Sequence, residues 1–206
     1  MYSVKMKDAV MSAQSCVDLC CGSQNVAVTS AEYLSAFVKF LDVLDPSGID
    51  FLKSGFFADM RIKKYWNLFS QHYQNIEAIL DKLKQNRIIA ENSLLTINSE
   101  IERYNASLDE FLASEPEEPD LEFFNQKTVS LNLKNILENT AAEYGVLSER
   151  LKNITVTAAD VFKNAVLIAR VNYQINIVND KSSGLVGTAD VLSYKSDYQK
   201  LYSMCR

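Results

Sequence analysis

Asp109, Glu110, Glu115, Glu117, Glu118, Asp120 and Glu122 crowd one short stretch that holds no lysine or arginine. The 206-residue chain has a formal net charge of −5, so these seven acids leave the remainder at +2. Carboxylate pairs on a helical surface without a cleft carry no catalytic weight. What such a cluster suits is long-range attraction to a basic partner surface, sensitive to salt. Phe123 and Phe124 follow at once, with Phe111, Leu112 and Leu121 close by, which is more apolar surface than a bare turn needs. The seven acids with Phe123 and Phe124 therefore form the candidate interaction tip. Against this stands the commoner origin of a charge run, a turn kept solvated by its charge. Helix-end electrostatics explain Asp120 and Glu122 at a helix start, but not Glu115 at a helix end.

Other reactive residue types are sparse. Arg87 interrupts a long apolar repeat and is the candidate register residue, paired with Glu143 or Glu149; the alternative is a side chain that packs its stem and keeps its head in water. His72 is the single histidine, without a Cys or second His at ligand spacing, which makes it a packed or surface residue. Cys16, Cys20 and Cys21 share one helical segment, and adjacent Cys20 and Cys21 suit no ordinary disulfide framework. They read as reduced thiols, more often buried small residues than an S-acylation site. Tyr65, Trp66, Phe69 and Tyr73 form an aromatic belt that core packing explains. Phosphate loops, nucleophile elbows and dinucleotide fingerprints are absent. No catalytic residue, metal or cofactor is expected, and the chain is not read as an enzyme.

The elements that must carry these residues follow from 6 Gly and 3 Pro, few enough that turns are rare and helices long. Apolar spacing predicts a helix over 3–21, stopped at Gly22, and another behind the capping-box pair Thr29 and Glu32. Asp45-Pro46-Ser47-Gly48 ends that helix, and 49–55 reads as a short helical turn. From Phe56 to Glu115 there is neither Gly nor Pro, and apolar residues alternate in steps of four and three. The a positions are Trp66, Tyr73, Leu80, Arg87, Leu94, Ile101 and Leu108; the d positions are Ile62, Phe69, Ile76, Leu83, Ala90, Ile97, Tyr104 and Phe111. Such a helix would be roughly 80–90 Å long. Pro116 and Pro119 break it, Asp120 is a fitting N-cap, and a second long helix runs to Val178 with Gly145 its weak point. A loop with Gly184 and Gly187 and a final helix over 189–204 complete the chain.

A short turn makes the long helices antiparallel neighbours, with position i facing about 234 − i. The fold class is thus all-α: a long antiparallel two-helix coiled-coil hairpin, about 56–115 and 120–178, extending from a multi-helix bundle formed with N-terminal helices and a C-terminal helix. The whole of 1–206 reads as a single helical domain. Its base bundle is 1–95 with 152–206, and its projecting stalk and acidic tip are 96–151, where the apolar face narrows mostly to the seam.

The acidic balance argues against nucleic acid, because no basic stripe is available to displace counterions. No apolar run reaches the length of a bilayer span. The expectation is a non-enzymatic scaffold, adaptor or effector-like protein that binds a protein partner. A membrane-interacting toxin or translocator-like component is the less favoured alternative, with 31–44 and 156–178 the releasable apolar segments. A subunit of a repeating structural assembly is the third, and oligomeric state is left open. The N-terminus lacks a secretory pattern, so a cytoplasmic location is the default, with signal-less secretion the alternative.

Overall fold

The structure, a computed structural model, describes residues 4–21, 25–53, 55–178 and 188–206. Five helices and no strand occur among the described residues: α1 (Val4–Cys21), α2 (Val26–Val43), α3 (Phe56–Ala113), α4 (Leu121–Val178) and α5 (Thr188–Cys205). The architecture is all-α. The two long helices are unbroken at 58 residues each and pack closely against one another as a hairpin. The expected Gly22 stop and the loop with Gly184 and Gly187 lie outside the described residues, as do the side chains of 171–178.

Two local expectations are corrected. The Thr29–Glu32 capping box is not used, because Asn25 caps α2 earlier: its Oδ1 accepts the backbone N–H of Ala27 at 3.1 Å and of Val28 at 3.3 Å. Thr29 consequently lies inside the helix. Over 49–53 only residues 51 and 52 form a turn, flanked by irregular chain, in place of the expected short helical turn. They are held by side-chain caps such as the Leu52 N–H on Asp50 Oδ1 at 3.2 Å. Gly55, at φ +132°, then sets the entry to α3 in a backbone region that other residues rarely adopt.

The chain forms two compact units, 1–29 with 86–150 and 30–85 with 151–206. These bounds place the N-terminal helix differently from the sequence expectation. In the first unit, which carries the α3–α4 turn, α1 buries Met6, Ala13 and Cys16 in one cluster. Ile97, Tyr104, Leu108 and Phe111 of α3, and Phe123, Leu133, Leu137 and Ala141 of α4, complete it. Residues 96–151 are therefore not a bare two-helix stalk, and α1 does not belong to a base bundle.

The burial pattern of α3 shows the cause. All eight d residues are buried, whereas among the a residues Leu80 and Leu108 are buried and Trp66, Tyr73, Arg87, Leu94 and Ile101 are half-buried. Asn86 and Glu100, one position before a residues, are buried instead. A third helix on that flank widens the buried stripe beyond a two-stranded seam. The inferred register is visible within the unit. The Phe111 and Phe123 rings stack at 5.0 Å, and the Tyr104 hydroxyl donates to Ser130 O at 3.0 Å, both pairs obeying 234 − i.

The second unit is built on aromatics from α3, α4 and α5 and from the turn that follows α2. Phe51, Tyr65, Trp66, Phe69, Phe162, Tyr194 and Tyr198 form a chain of ring contacts at 4.9–6.5 Å. Its buried hydroxyls tie off the end of α2, where helical carbonyls lack partners. Tyr65 donates to Leu44 O at 2.9 Å and Tyr198 donates to Leu41 O, while at the surface Tyr202 donates to the side chain of Asp42, Oδ1, at 2.5 Å. Having spent its proton on Leu44, Tyr65 accepts from the Tyr194 hydroxyl at 2.6 Å. Burial foremost pushes the phenols of Tyr65, Tyr194 and Tyr198 well above the usual tyrosine range.

Candidate functional site

The acidic turn is built from its caps outward. The last turn of α3 tightens through the Ser114 N–H on Phe111 O at 3.1 Å and the Glu115 N–H on Leu112 O at 3.2 Å. Asp120 starts α4 as expected, its Oδ1 accepting the Phe123 N–H at 2.8 Å. Inward stacking of Phe123 on Phe111 locks the two helix ends together. Phe123 is thus core rather than recognition surface. Leu121 and Phe124 point the other way and are 76% and 50% exposed.

The acids divide into two groups. Glu115 is bonded by Lys127 Nζ at 2.9 and 3.2 Å, Glu110 pairs with Lys5 Nζ at 3.3 Å, and Glu122 accepts from Gln126 at 2.9 Å. With Asp120 engaged as a cap, four of the seven candidate acids serve local structure. Asp109, Glu117 and Glu118 stand exposed. The compensating cations could not be read from the stretch itself, because Lys5 arrives on α1 and Lys127 from the next turn of α4.

The candidate register residue is also reassigned. Arg87 Nε lies 3.4 Å from Glu91 Oε1, one turn along its own helix, rather than bridging to Glu143 or Glu149. The pair is within ion-pair distance but not aligned as a hydrogen bond. A carboxylate at i+4 needs no reach across the hairpin, so the local pair forms.

The other candidates pack. His72 sits with its ring 5.3 Å from that of Phe40. Cys16 is buried against the α1–α3 contact, where desolvation and then the Glu100 carboxylate raise its thiol pKa. Glu100 itself is bonded to Arg103 at 3.1 Å. Among the described residues no group of three His, Cys, Asp or Glu side chains converges as a metal-ligand set, and no helix is long and apolar enough to cross a membrane.

One surface escaped the sequence analysis. Between Glu122 and Glu138 every exposed residue of α4 is uncharged: Phe124, Asn125, Thr128, Val129, Leu131, Asn132, Asn135 and Ile136. The two cations in that span are only about a third exposed and are occupied, Lys127 with Glu115 and Lys134 with Glu138. Phe124, Val129, Leu131 and Ile136 are each 39–50% exposed there, and Leu121 extends the patch to the turn. A solvated helix face ordinarily carries Lys, Glu and Arg. Its outward positions could have been noticed as a run of Asn and aliphatic residues, but the reading followed the inward seam.

The chain matches no protein-family model, no curated protein and no solved structure.

Proposed function

We propose that the chain is a non-enzymatic interaction protein that engages a protein partner through the outer face of α4 and the adjoining acidic turn. One observation carries this reading: the exposed residues of α4 from Phe124 to Ile136 are all apolar or neutral, and the turn that leads into α4 carries exposed Glu117 and Glu118. Interface centres are depleted in charge and rich in aromatic and aliphatic groups, while charged rims steer encounter. The partner surface that fits is apolar at its centre and basic at the edge facing the turn. A reducing, cytoplasmic setting accords with the thiols of Cys16 and Cys205, both buried and outside any disulfide.

The test is affinity capture from the native host with the intact chain and two variants, each first checked for unchanged helicity. Phe124→Ser with Leu131→Lys and Ile136→Lys should abolish specific capture. Glu117→Lys with Glu118→Lys should slow association and weaken its salt dependence. An identical set of captured proteins for all three chains would sink the proposal.

A further inference from the structure

In the unit formed by 30–85 and 151–206, the entry to α3 gathers exposed apolar side chains beside cations. Buried Phe51 anchors the preceding turn, its ring 5.5 Å from those of Tyr65 and Trp66, and Leu52 next to it is turned outward. After Gly55 the chain enters α3, whose core side is Ile62, Tyr65 and Phe69. Phe56, Phe57 and Met60 lie on the opposite side and are 78%, 71% and 53% exposed. Lys63 and Lys64, at i+7 and i+8 from Phe56, continue the same outward face, and Arg61 flanks it. Between Asp50 and Lys64 the cations Lys53, Arg61, Lys63 and Lys64 stand against Asp50 and Asp59, so this stretch is basic in a chain of net charge −5. All four cations are exposed, and none takes part in an ion pair among the described residues.

We propose that this end of the unit docks on an anionic lipid bilayer, the rings of Phe56 and Phe57 entering the boundary between headgroups and acyl chains while Lys63 and Lys64 meet lipid phosphates. The spacing fits a bilayer. Seven residues separate Phe56 from Lys63, about 10 Å along the helix axis. Cations held at headgroup level thus leave the rings about 5–10 Å deeper, the depth at which interfacial apolar faces reside. The charge selects the occupant. An anionic leaflet carries a negative surface potential and attracts basic segments beside apolar anchors. A protein interface is by contrast depleted in lysine, which supplies three of the four cations here. A second copy packed two-fold on the same patch would set these cations against themselves. The side chains involved already point outward, so the unit binds without unfolding. This surface is separate from the outer face of α4 and does not depend on the protein partner proposed there.

The test is co-sedimentation of the full chain with vesicles of phosphatidylcholine alone, and of phosphatidylcholine mixed with phosphatidylserine, at low and high salt. Binding to the mixed vesicles only, weakening as salt rises, is expected. Phe56→Ser with Phe57→Ser, and separately Lys63→Glu with Lys64→Glu, should each lower vesicle affinity by about tenfold or more. Lys63→Arg with Lys64→Arg should keep it, since the charge is retained. Every substituted side chain is exposed, so helicity and the denaturation midpoint should match the parent chain, which separates lost binding from lost fold. A chain that leaves the anionic vesicles unbound at low salt, as it would if this patch served a protein, would overturn the proposal. So would binding that is indifferent to the phenylalanine pair, or equal on neutral vesicles.

Discussion

The two units solve the same problem, covering a long α3–α4 pair, by different means. In the unit that carries the turn, a single 18-residue helix supplies the third layer, through small and flexible side chains: Met6, Ala13 and Cys16. Polar ties add to this packing. Tyr104 reaches Ser130 O at 3.0 Å, Tyr144 reaches Cys20 O at 2.6 Å, and Asn86 reaches Thr29 Oγ1 at 3.1 Å. In the other unit α2 and α5 join a ring-packed core, and three buried phenols bond to α2 or to one another. Cover by one helix leaves an outer face of α4 exposed. Aromatic cover with bonded hydroxyls fixes the ends of several helices at once. The difference suggests that the first unit opens locally before the second.

The largest effect that could break this comparison is alkaline. Tyr65, Tyr194 and Tyr198 hold their protons more tightly folded than unfolded. Below about pH 10 both states keep them and nothing is lost. Above that the unfolded chain sheds protons that the folded one retains, so stability falls as pH rises, by up to about 4 kcal/mol per pH unit for three phenols. Tyrosinate absorbance followed with far-UV circular dichroism should show these phenols ionising only together with loss of helix. Complete tyrosine ionisation near pH 10 with the fold intact would remove the distinction between the units.

Next in size is Ala13→Asp, which sets a carboxylate with no cationic partner among Met6, Tyr104 and their neighbours, at a cost of about 3–5 kcal/mol. Hydrogen exchange should quicken over 97–141 while 151–168 remains protected. Uniform acceleration of both would show that the units do not open separately. Tyr65→Phe is a smaller probe of the other side. It strands Leu44 O and removes the acceptor of Tyr194, and should cost about 1–3 kcal/mol in denaturant melts. A loss of a few tenths would mean that the hydroxyl ties contribute little beyond ring packing. The smallest change is a gain. Gly145 is helical, and a β-carbon there would meet only Leu94 Cδ2 at an ordinary 4.0 Å. Gly145→Ala should therefore stabilise the turn-bearing unit by about 1 kcal/mol, read as a raised denaturation midpoint.

Much of the fold was legible in the residues. Sixty positions without Gly or Pro from Phe56 to Glu115 leave a helix no reason to stop, and two prolines flanking acids leave it no way to continue. The d positions all proved buried, because a d residue faces the partner helix whether or not a third helix is present. The a positions were less reliable, and Asn86 and Glu100 were not anticipated as buried, because periodicity along one helix records that a flank is covered but not by what. The candidate tip divided for the same reason. Asp120 was readable as a cap from its own neighbours, whereas the role of Glu110 depended on Lys5, 105 residues away in the chain.

Local chemistry in the sequence thus determined helix class, helix ends at the acidic turn, and the antiparallel register that brings Phe111 onto Phe123. Tertiary structure decided which helix covers which flank, which acids are neutralised, and which side of α4 is left outward. Helix formation is governed by residues within a turn or two of one another. Coverage depends on which distant apolar face completes a packed layer, and that competition is resolved only when the whole chain has folded.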